Sequence, residues 1–269
     1  KCGKLIVANN ESEIEEINRI FLLAKKNGIK NIKILSNKES LDIEPMIRCK
    51  KSLWIPSAGI LDSHLLMSKL ENLSISRDVS FLYNFKVNSI SNNKNSYLIG
   101  FFNDEIKVKT ENIINCAGLW SHDIANKIVN NKYSIDYYKG DYFKAPELKG
   151  LKHLIYPVPS KLSLGIHTVL NLNEEVLLGP NAYKIKNINY QIDDTFKDVF
   201  LSEGNKLVSK KITKINKDYS GIRSKIKFDN TINDFIINED KKGMFNLIGI
   251  DSPGLTSSLA IAEYLCDNI

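Results

Sequence analysis

Residues 249–258 combine an apolar strand, a turn at Pro253-Gly254 and a helix that opens with Thr256, Ser257 and Ser258. The first N–H groups of a helix have no partner within it and the helix dipole adds positive charge, so such a start suits anionic or electron-rich groups. Because Gly254 has no side chain, the backbone can approach a flat ring closely. The alternative is an ordinary helix start with Thr256 or Ser257 as the N-cap.

The segment NCAGLWS, residues 115–121, repeats this order of strand, small-residue turn and helix. Small residues at the carboxyl end of a strand mark the place where α/β folds bind nucleotides. Close packing of the strand against the helix explains Ala117 and Gly118 equally well. No GxGxxG sequence occurs in the 269 residues, so the nucleotide interpretation depends on these two turns.

Three further positions carry side chains with acid–base or anion-binding chemistry. Arg223 follows the glycine of SGIR, and a guanidinium binds a carboxylate through two parallel hydrogen bonds. His167 lies in an apolar stretch, where an imidazole can take a proton from a substrate hydroxyl. Tyr156 and the Gly-Asp-Tyr turn that ends at Tyr142 are less specific signals. A solvated arginine and a buried core histidine are the alternatives.

Composition and spacing exclude several classes of protein. The 37 Lys and Arg exceed the 31 Asp and Glu by only 6, and the lysines are scattered among acids instead of forming the basic stripe that nucleic-acid binding needs. The four cysteines form no CxxC pair and the four histidines no HExxH, so no metal site is predicted. No GxSxG, membrane-spanning run or signal segment is present. We therefore expect reduced thiols and a location in the cytoplasm or peripheral to a membrane.

The spacing of apolar residues predicts an α/β chain. Helices are predicted at residues 10–28, 36–44, from 62 onward, 121–129, 193–211 and 256–266. Strands are predicted at residues 1–8, 31–35, 80–83, 86–91, 97–102, 105–109, 112–116 and 245–250. Residues 133–228 are otherwise β-rich. The pattern indicates an α/β domain that a β-rich region interrupts, with the last strand and helix supplied by the end of the chain.

Nine segments, taken in order, resemble L-2-hydroxyglutarate dehydrogenases and oxidases, which are FAD-dependent oxidoreductases of the D-amino-acid-oxidase-like group. These segments are KCGKLIVA, SAGILD, NCAGLWS, YKGDYF, IYPVP, LGIHT, LLGPNA, SGIRSK and IDSPGLTSSLAIAE. The resemblance covers the whole chain and implies an α/β (α+β) fold, with an incomplete Rossmann-type FAD-binding domain and a β-sheet-rich substrate domain. It implies FAD as the cofactor. The implied reaction is hydride transfer from a small-molecule 2-hydroxy acid to flavin N5, converting L-2-hydroxyglutarate to 2-oxoglutarate.

The resemblance also assigns cofactor-binding positions. Carried over to this sequence, they are Val87, Ala117, Gly118, Trp120, Gly221, Gly254, Leu255, Thr256 and Ser257. Of these, Val87 implies a backbone contact with the adenine, and Ala117 and Gly118 imply the turn on the adenosine side. The helix that starts near Gly254 implies stabilisation of charge at flavin N1 and O2 during reduction.

The catalytic positions implied by the resemblance are His167, as the base, and Arg223, which holds the substrate carboxylate. The implied substrate-binding positions are Arg223, Tyr156, Lys139 and Tyr142. Two positions depart from the family pattern. Ser224 stands where related oxidases often have proline, and Lys139 stands where family members commonly have arginine. An ammonium keeps the charge but not the planar fork, which leaves recognition of a second carboxylate open.

Chains of this family begin with a GxGxxG βαβ unit of about 30 residues or more, and the printed sequence opens instead on a strand already under way. We therefore interpret the chain as a C-terminal fragment and expect an N-terminal FAD-binding segment as its partner. Without that segment the chain should bind FAD poorly. The predicted domains are residues 1–55 and 131–228 for substrate, and 56–130 and 229–269 for FAD.

Other functions stay open at this point. The chain is alternatively an inactive split or degenerate remnant without independent FAD binding, which serves as a binding or assembly partner. Within the enzyme class, an amino-acid oxidase or a glycerol-3-phosphate-dehydrogenase-like member is the alternative, and the GDY and GPNA segments favour the hydroxyglutarate group.

Overall fold

The structure is a computed structural model that describes residues 1–102, 105–159, 165–227 and 234–269. The α-helices in these ranges are α1 (Glu11–Lys26), α2 (Asn37–Ile43), α3 (Ser63–Ile75), α4 (Ser121–Val129), α5 (Lys197–Leu207) and α6 (Gly254–Cys266). The strands are β1 (Lys4–Ala8), β2 (Lys33–Ser36), β3 (Lys51–Ile55), β4 (Val87–Asn93), β5 (Ser96–Phe101), β6 (Lys107–Thr110), β7 (Ile113–Asn115), β8 (Ile135–Lys144), β9 (Leu154–Pro157), β10 (His167–Leu170), β11 (Val176–Gly179), β12 (Tyr183–Ile185), β13 (Asn216–Ile226), β14 (Ile236–Lys241) and β15 (Met244–Ile248). The mixed α/β class predicted from sequence is confirmed.

The chain folds into two compact units, each built from segments that are distant in sequence. Unit 1 contains Lys1–Ser74, Gly140–Ala182 and Tyr190–Gly221. Unit 2 contains Ile75–Lys139, Tyr183–Asn189 and Ile222–Ile269. The main changes of unit therefore come at 74/75, 139/140 and 221/222, whereas the predicted domain boundaries are at 55/56, 130/131 and 228/229, the last of which lies outside the described residues. The assignment of FAD and substrate to separate domains stays a prediction.

In unit 1, β1 is a central strand of the sheet β2-β3-β1-β9. It pairs antiparallel with β3 and parallel with β9. Its apolar residues alternate between two cores, as the two-residue period of a strand requires. Ile6 and Ala8 pack with Ile17 of α1, and Leu5 and Val7 pack into the larger cluster on the other face.

The second sheet of unit 1 carries β10 and β11 alongside the Gly140–Lys144 half of β8. His167 is opposite Gly179 in the β10–β11 ladder, and Leu178 is opposite Phe143 in the next one. Helix α5 covers this sheet through Phe200, whose ring lies 4.7 Å from that of Phe143. The larger hydrophobic core of unit 1 therefore fixes the start of β10, where His167 lies.

In unit 2, three strands follow the order β14-β15-β7, with β15 and β7 parallel. A separate antiparallel sheet has the order β4-β5-β6. Helix α4 packs on the clusters that contain Ile248 of β15 and Met244, while α6 packs its Leu265 against Phe245 and Leu247. Among the described residues, no helix is long and apolar enough to cross a bilayer.

Local capping signals are confirmed where the sequence placed them. The Asn10 side chain accepts a hydrogen bond from the Glu13 N–H at the start of α1. Ser36 and Glu39 form the reciprocal capping box of α2. The Asp62 carboxylate accepts from the Leu65 N–H at 2.9 Å, so α3 also begins as predicted.

Three element predictions are wrong in informative ways. Residues 80–83 form no strand: they are exposed and lie between Asp78 and Asn84, whose left-handed φ values of 63° and 65° interrupt extended backbone on both sides. Strand β3 went unpredicted because its polar start hides the apolar centre that pairs with both β1 and β2. The helix predicted at 193–211 shortens to Lys197–Leu207, preceded by a 3₁₀ turn at Asp194–Phe196.

A chain of side-chain hydrogen bonds locks β7 to β15 in unit 2. The Asn115 amide donates to the Asn246 side-chain oxygen at 2.8 Å, and Asn246 donates to Asp240 at 2.7 Å. Asp240, with a side chain only 1% exposed, also accepts from Lys132 and Tyr133. Burial alone raises the pKa of the Asp240 carboxyl, but the hydrogen bonds outweigh burial and hold that pKa below its usual range.

We predict that Asp240→Asn lowers the free energy of unfolding at pH 7 by about 2 kcal/mol, because an ionised acceptor is lost from a buried network. A lowered folded pKa stabilises the fold above the unfolded pKa of about 4, and this stabilisation disappears as the pH falls through the folded value. Urea unfolding at pH 7 and pH 3 measures both effects, and the difference between wild type and variant should shrink at pH 3. Asp136→Asn, which breaks the more exposed pair with Lys184, is the control. Equal losses for the two variants would contradict the prediction.

Candidate functional site

The N terminus of α6 follows β15 after the loop 249–253, and no side chain caps it. The helix begins at Gly254, and the Ser257 N–H donates to the Pro253 carbonyl at 3.1 Å. The Ser257 hydroxyl donates to the same carbonyl at 3.0 Å. The alternative in which Thr256 or Ser257 is the N-cap is therefore wrong. The positive end of the helix dipole stays without a capping group, and Leu255 and Thr256 lie exposed at it.

A cavity of about 470 Å³ lies beside this helix start. Its mainly apolar lining comes from Ile114, Cys116, Gly118, Leu247, Ile250, Gly254, Ser258, Ile261, Ala262, Leu265 and Cys266. The structure thus brings together Gly118 and Gly254, which belong to different segments of unit 2 and which the resemblance assigned to one cofactor. Gly118 has φ of +56° and a Cβ built there meets no atom within 4 Å, whereas a Cβ on Gly254 would lie 2.5 Å from the Ile250 side chain.

The Asn115 network holds the turn on the other side of this cavity. The Asn115 side chain accepts from the Ala117 N–H at 3.2 Å and donates to the Ser121 carbonyl at 2.8 Å. One buried amide therefore spans the turn from strand β7 to helix α4. Trp120 in this turn is 54% exposed, and neither Trp120 nor Val87, the first residue of β4, lines the cavity.

Arg223 lies in the part of β13 that belongs to unit 2 and is half-buried. The neighbouring cation Lys225 pairs with Asp251 at 2.9 Å, but in the described part of the chain no carboxylate lies within 4.0 Å of the Arg223 guanidinium. Ser224, the departure from the family pattern, is buried on the opposite face of the strand. Gly221 is the last residue of its segment of unit 1, and a Cβ there meets no atom within 4 Å.

In unit 1 the structure brings Tyr156 and His167 into direct contact. Their rings stack with centroids 3.8 Å apart and planes 19° from parallel. The His167 Nδ1 lies 2.9 Å from the Gly165 carbonyl, which only accepts hydrogen bonds. The neutral ring therefore carries its proton on Nδ1 and presents Nε2 as the acceptor, the form that a general base needs. Burial, with smaller effects from Tyr142 and Cys2, raises the pKa of Tyr156 to about 12.

Tyr142 has an aromatic partner that the sequence did not reveal. Its ring stacks on that of Tyr219 with centroids 4.4 Å apart. Burial and the neighbouring Tyr142 raise the pKa of Tyr219, so the Tyr219 phenol stays protonated at neutral pH. Gly179 allows its strand to lie close to the Tyr142 ring, because a Cβ there would lie 2.6 Å from the Asp141 carbonyl and 2.8 Å from that ring. The LGIHT segment that led to His167 begins at Leu164, outside the described residues.

Lys139 differs from the other substrate-binding candidates in its surroundings. It belongs to unit 2, is 3% exposed and lies opposite Tyr183 in the β8–β12 ladder. Its ammonium is 5.9 Å from the centre of the Tyr183 ring. Burial of this cation in a strand indicates a structural role, and its contact with substrate stays a prediction.

The described residues contain no group of three or more His, Cys, Asp or Glu side chains arranged to hold a metal ion. The four cysteines are free thiols, and Cys116 and Cys266 line the cavity beside α6. Burial raises the pKa of the Cys116 thiol, so it stays neutral. The cavity chemistry is thus that of backbone N–H groups, small residues and apolar side chains.

Comparison with known proteins gives consistent relatives. The chain is 30% identical to the mitochondrial L-2-hydroxyglutarate dehydrogenase of Arabidopsis thaliana. The alignment is 318 positions long and covers 99% of this chain and 66% of the relative. It is 28% identical to the glycerol 3-phosphate dehydrogenase of Caloramator mitchellensis, over 99% of this chain and 56% of the relative. The chain therefore spans less than two thirds of the length of these two curated relatives.

Solved structures share the fold. The L-alpha-glycerophosphate oxidase of Mycoplasma pneumoniae, with FAD bound, superposes with a TM-score of 0.86 at 24% identity, over 97% of this chain and 71% of that one. The glycine oxidase of Bacillus cereus gives 0.80 at 16% identity, over 98% and 72%. The family described as FAD dependent oxidoreductase (DAO) matches residues 1–268. The chain belongs to this family of FAD-dependent oxidoreductases.

Proposed function

We propose that this chain is part of an FAD-dependent dehydrogenase or oxidase that converts a 2-hydroxy acid to the 2-oxo acid, with L-2-hydroxyglutarate as the favoured substrate. The family match over residues 1–268 and the 30% identity to an L-2-hydroxyglutarate dehydrogenase support the reaction class and the substrate. The structural observation that carries the proposal is the uncapped N terminus of α6 beside a mainly apolar cavity.

The residues at this cavity fit the cofactor of the family. At Gly118 the place of a side chain is open space, and the start of α6 supplies positive charge without a competing cap. The N-terminal residues Gly254 to Ser257 would hold the flavin edge, and the turn at Ala117 and Gly118 the adenosine side. When bound, FAD supplies the acceptor for the hydride that leaves the substrate carbon.

The side chains of this reaction divide the remaining work. The substrate hydroxyl loses its proton to Nε2 of His167 as the hydride leaves the same carbon, so the C–O single bond becomes the carbonyl of the product. The stacked ring of Tyr156 keeps the imidazole in one orientation and limits its contact with water. The guanidinium of Arg223 binds the carboxylate next to the reacting carbon.

A second candidate substrate is glycerol 3-phosphate. The 28% identity to a glycerol 3-phosphate dehydrogenase covers 99% of this chain, which is the specific observation in its favour. Both substrates present a hydroxyl-bearing carbon and an anionic group. Oxidation assays with L-2-hydroxyglutarate and glycerol 3-phosphate in parallel separate the two candidates.

We further propose that another polypeptide segment, with a strand, a GxGxxG loop and a helix, completes the nucleotide site. Strand β7 is at the edge of the sheet β14-β15-β7 and its Ile114 is 45% exposed. A parallel strand is normally covered on both sides, and an open edge accepts a further strand by backbone hydrogen bonding. One third of the Arabidopsis relative lies outside the matched region, which is enough chain for such a unit.

We expect the 269-residue chain alone to retain little flavin, and the chain co-expressed with a strand–GxGxxG–helix segment from a relative to purify with one FAD. Visible absorbance of the oxidised flavin, divided by protein concentration, measures the difference. The segment with its three glycines replaced by valine is the control. A stoichiometrically yellow protein from the chain alone would contradict the need for complementation.

We predict that Thr256→Asp stabilises the chain by about 0.3–1 kcal/mol, because a carboxylate at a helix N terminus interacts favourably with the dipole. The same charge should lower the reduction potential of the bound flavin, since the added charge opposes the negative charge gained on reduction. Thermal unfolding and redox titration measure the two effects. Thr256→Asn, a neutral side chain of the same size as Asp, is the matched control. If the potential rises or stays constant while stability increases, the start of α6 does not face the flavin.

We predict that Arg223→Lys raises the KM for L-2-hydroxyglutarate about 10- to 100-fold in the FAD-loaded protein, because a point charge replaces a two-bonded fork. Steady-state kinetics measure the change. Arg77→Lys, at an exposed arginine, should leave KM within about twofold. Unchanged kinetics for Arg223→Lys would remove this residue from the substrate site.

A further inference from the structure

Lys4 is a half-buried cation beside the stacked Tyr156 and His167 rings, all within unit 1. Its Nζ lies 4.7 Å from the centre of the Tyr156 ring, on which His167 stacks at 3.8 Å. An ammonium, a phenol and an imidazole therefore form one continuous array. The array joins the amino-terminal strand to the candidate base, although these residues are more than 160 positions apart in the sequence.

The backbone explains why Lys4 reaches Tyr156. Strands β1 and β9 are parallel, with Lys4 opposite Leu154 and Ile6 opposite Tyr156. Residues two apart on a strand lie on the same face, so Lys4 and Tyr156 are diagonal neighbours on one face of the sheet. Sequence spacing alone does not show this pairing.

The segment before Lys4 is fixed tightly. The Gly3 N–H donates to the Ala58 carbonyl at 3.0 Å, and the Gly3 carbonyl accepts from the Leu154 N–H at 3.1 Å. Gly3 has φ of +75°, and a Cβ there would lie 2.0 Å from the Trp54 ring, so no other residue fits without movement. The backbone that leads into Lys4 is therefore held in one position.

Among the residues that the structure describes, no acid balances the charge on Lys4. Other lysines have carboxylate partners, as Lys144 has Glu175 at 3.0 Å and Lys184 has Asp136 at 2.6 Å. In the described part of the chain no carboxylate lies within 4.0 Å of the Lys4 ammonium, which lies over the face of the Tyr156 ring. Burial lowers the pKa of Lys4, which shows that its protonated form has lost solvation. An anion beside it would restore that lost stabilisation.

We propose that Lys4 binds a second anionic group of the substrate, at the end remote from the hydroxyl that reacts at His167. This inference rests on the proposed function and specifies its substrate class: hydroxy compounds with an additional carboxylate or phosphate. The distances 4.7 Å and 3.8 Å add to at most 8.5 Å between the Lys4 ammonium and the centre of the His167 ring. A five-carbon dicarboxylic acid with a hydrogen bond at each end spans such a distance.

Lys139 is the rival for this role, because it holds the position where family members commonly have arginine. Lys139 is 3% exposed and belongs to unit 2, whereas Lys4 is partly open and shares a face with the array. Substitution of Lys4 and substitution of Lys139 are therefore expected to have different effects on substrate binding. Removal of the charge at the true site weakens binding of dianionic substrates selectively.

The test compares substrates in the complemented, FAD-loaded protein. L-2-hydroxyglutarate and L-2-hydroxypentanoate have the same carbon chain and differ in the second carboxylate, while glycerol 3-phosphate tests phosphate. We expect Lys4→Met to raise the ratio of the KM for L-2-hydroxyglutarate to the KM for L-2-hydroxypentanoate at least 10-fold. In Lys4→Arg, which keeps the positive charge, this ratio should stay close to that of the wild type. Lys33→Met, at an exposed lysine on β2, is the control. An unchanged ratio in Lys4→Met, or a ratio that changes in Lys139→Met instead, overturns the proposal.

A second measurement needs no catalysis and uses the wild-type chain. After reductive methylation with ¹³C, the Lys4 resonance is assigned by its absence in Lys4→Arg, and its pKa is followed with glutarate, with inorganic phosphate and with neither. We expect either anion to raise the pKa of Lys4, and the anion that causes the larger rise identifies the preferred group. No change with either anion overturns the proposal. If Lys4 responds but neither hydroxy acid nor glycerol 3-phosphate reduces the flavin, the proposed reaction fails while the anion site stands.

Discussion

The pairing of two short parallel strands, β7 and β15, is the constraint on which the cavity beside α6 depends. Both strands end beside one cavity, and each is followed by a glycine-containing turn and a helix. The bond between Asn115 and Asn246 fixes their register from within, and Asn115 also holds the turn that follows β7. This hydrogen bond therefore helps to keep Gly118 and Gly254 beside the same cavity.

Unit 1 places polar side chains on strands that are otherwise mainly apolar. The Gly165 carbonyl sets the tautomer of His167, and the stacked Tyr156 ring covers one face of the imidazole. Lys4 reaches the same phenol from the neighbouring strand. A buried imidazole and a half-buried ammonium are both costly to take out of water, and in the described residues no carboxylate lies within 4.0 Å of the Lys4 ammonium.

Sequence reasoning succeeded where the signal is local. Caps such as Ser36 with Glu39 involve residues within one turn, so their types and spacing suffice. It failed where a strand depends on distant partners. Strand β3 exists because β1 and β2 enclose it, and residues 80–83 form no strand despite their apolar content. Pairing partners are set by the whole fold, and short apolar runs carry no record of them.

The sequence by itself determined the α/β class, the starts of several helices, the family and the small-residue turns at Gly118 and Gly254. These follow from residue types at short spacing and from an ordered set of segments. Only the tertiary structure decided that the two turns share a cavity and that α6 begins uncapped. It alone placed Lys4 against Tyr156, because the contact depends on the register of two parallel strands about 150 residues apart.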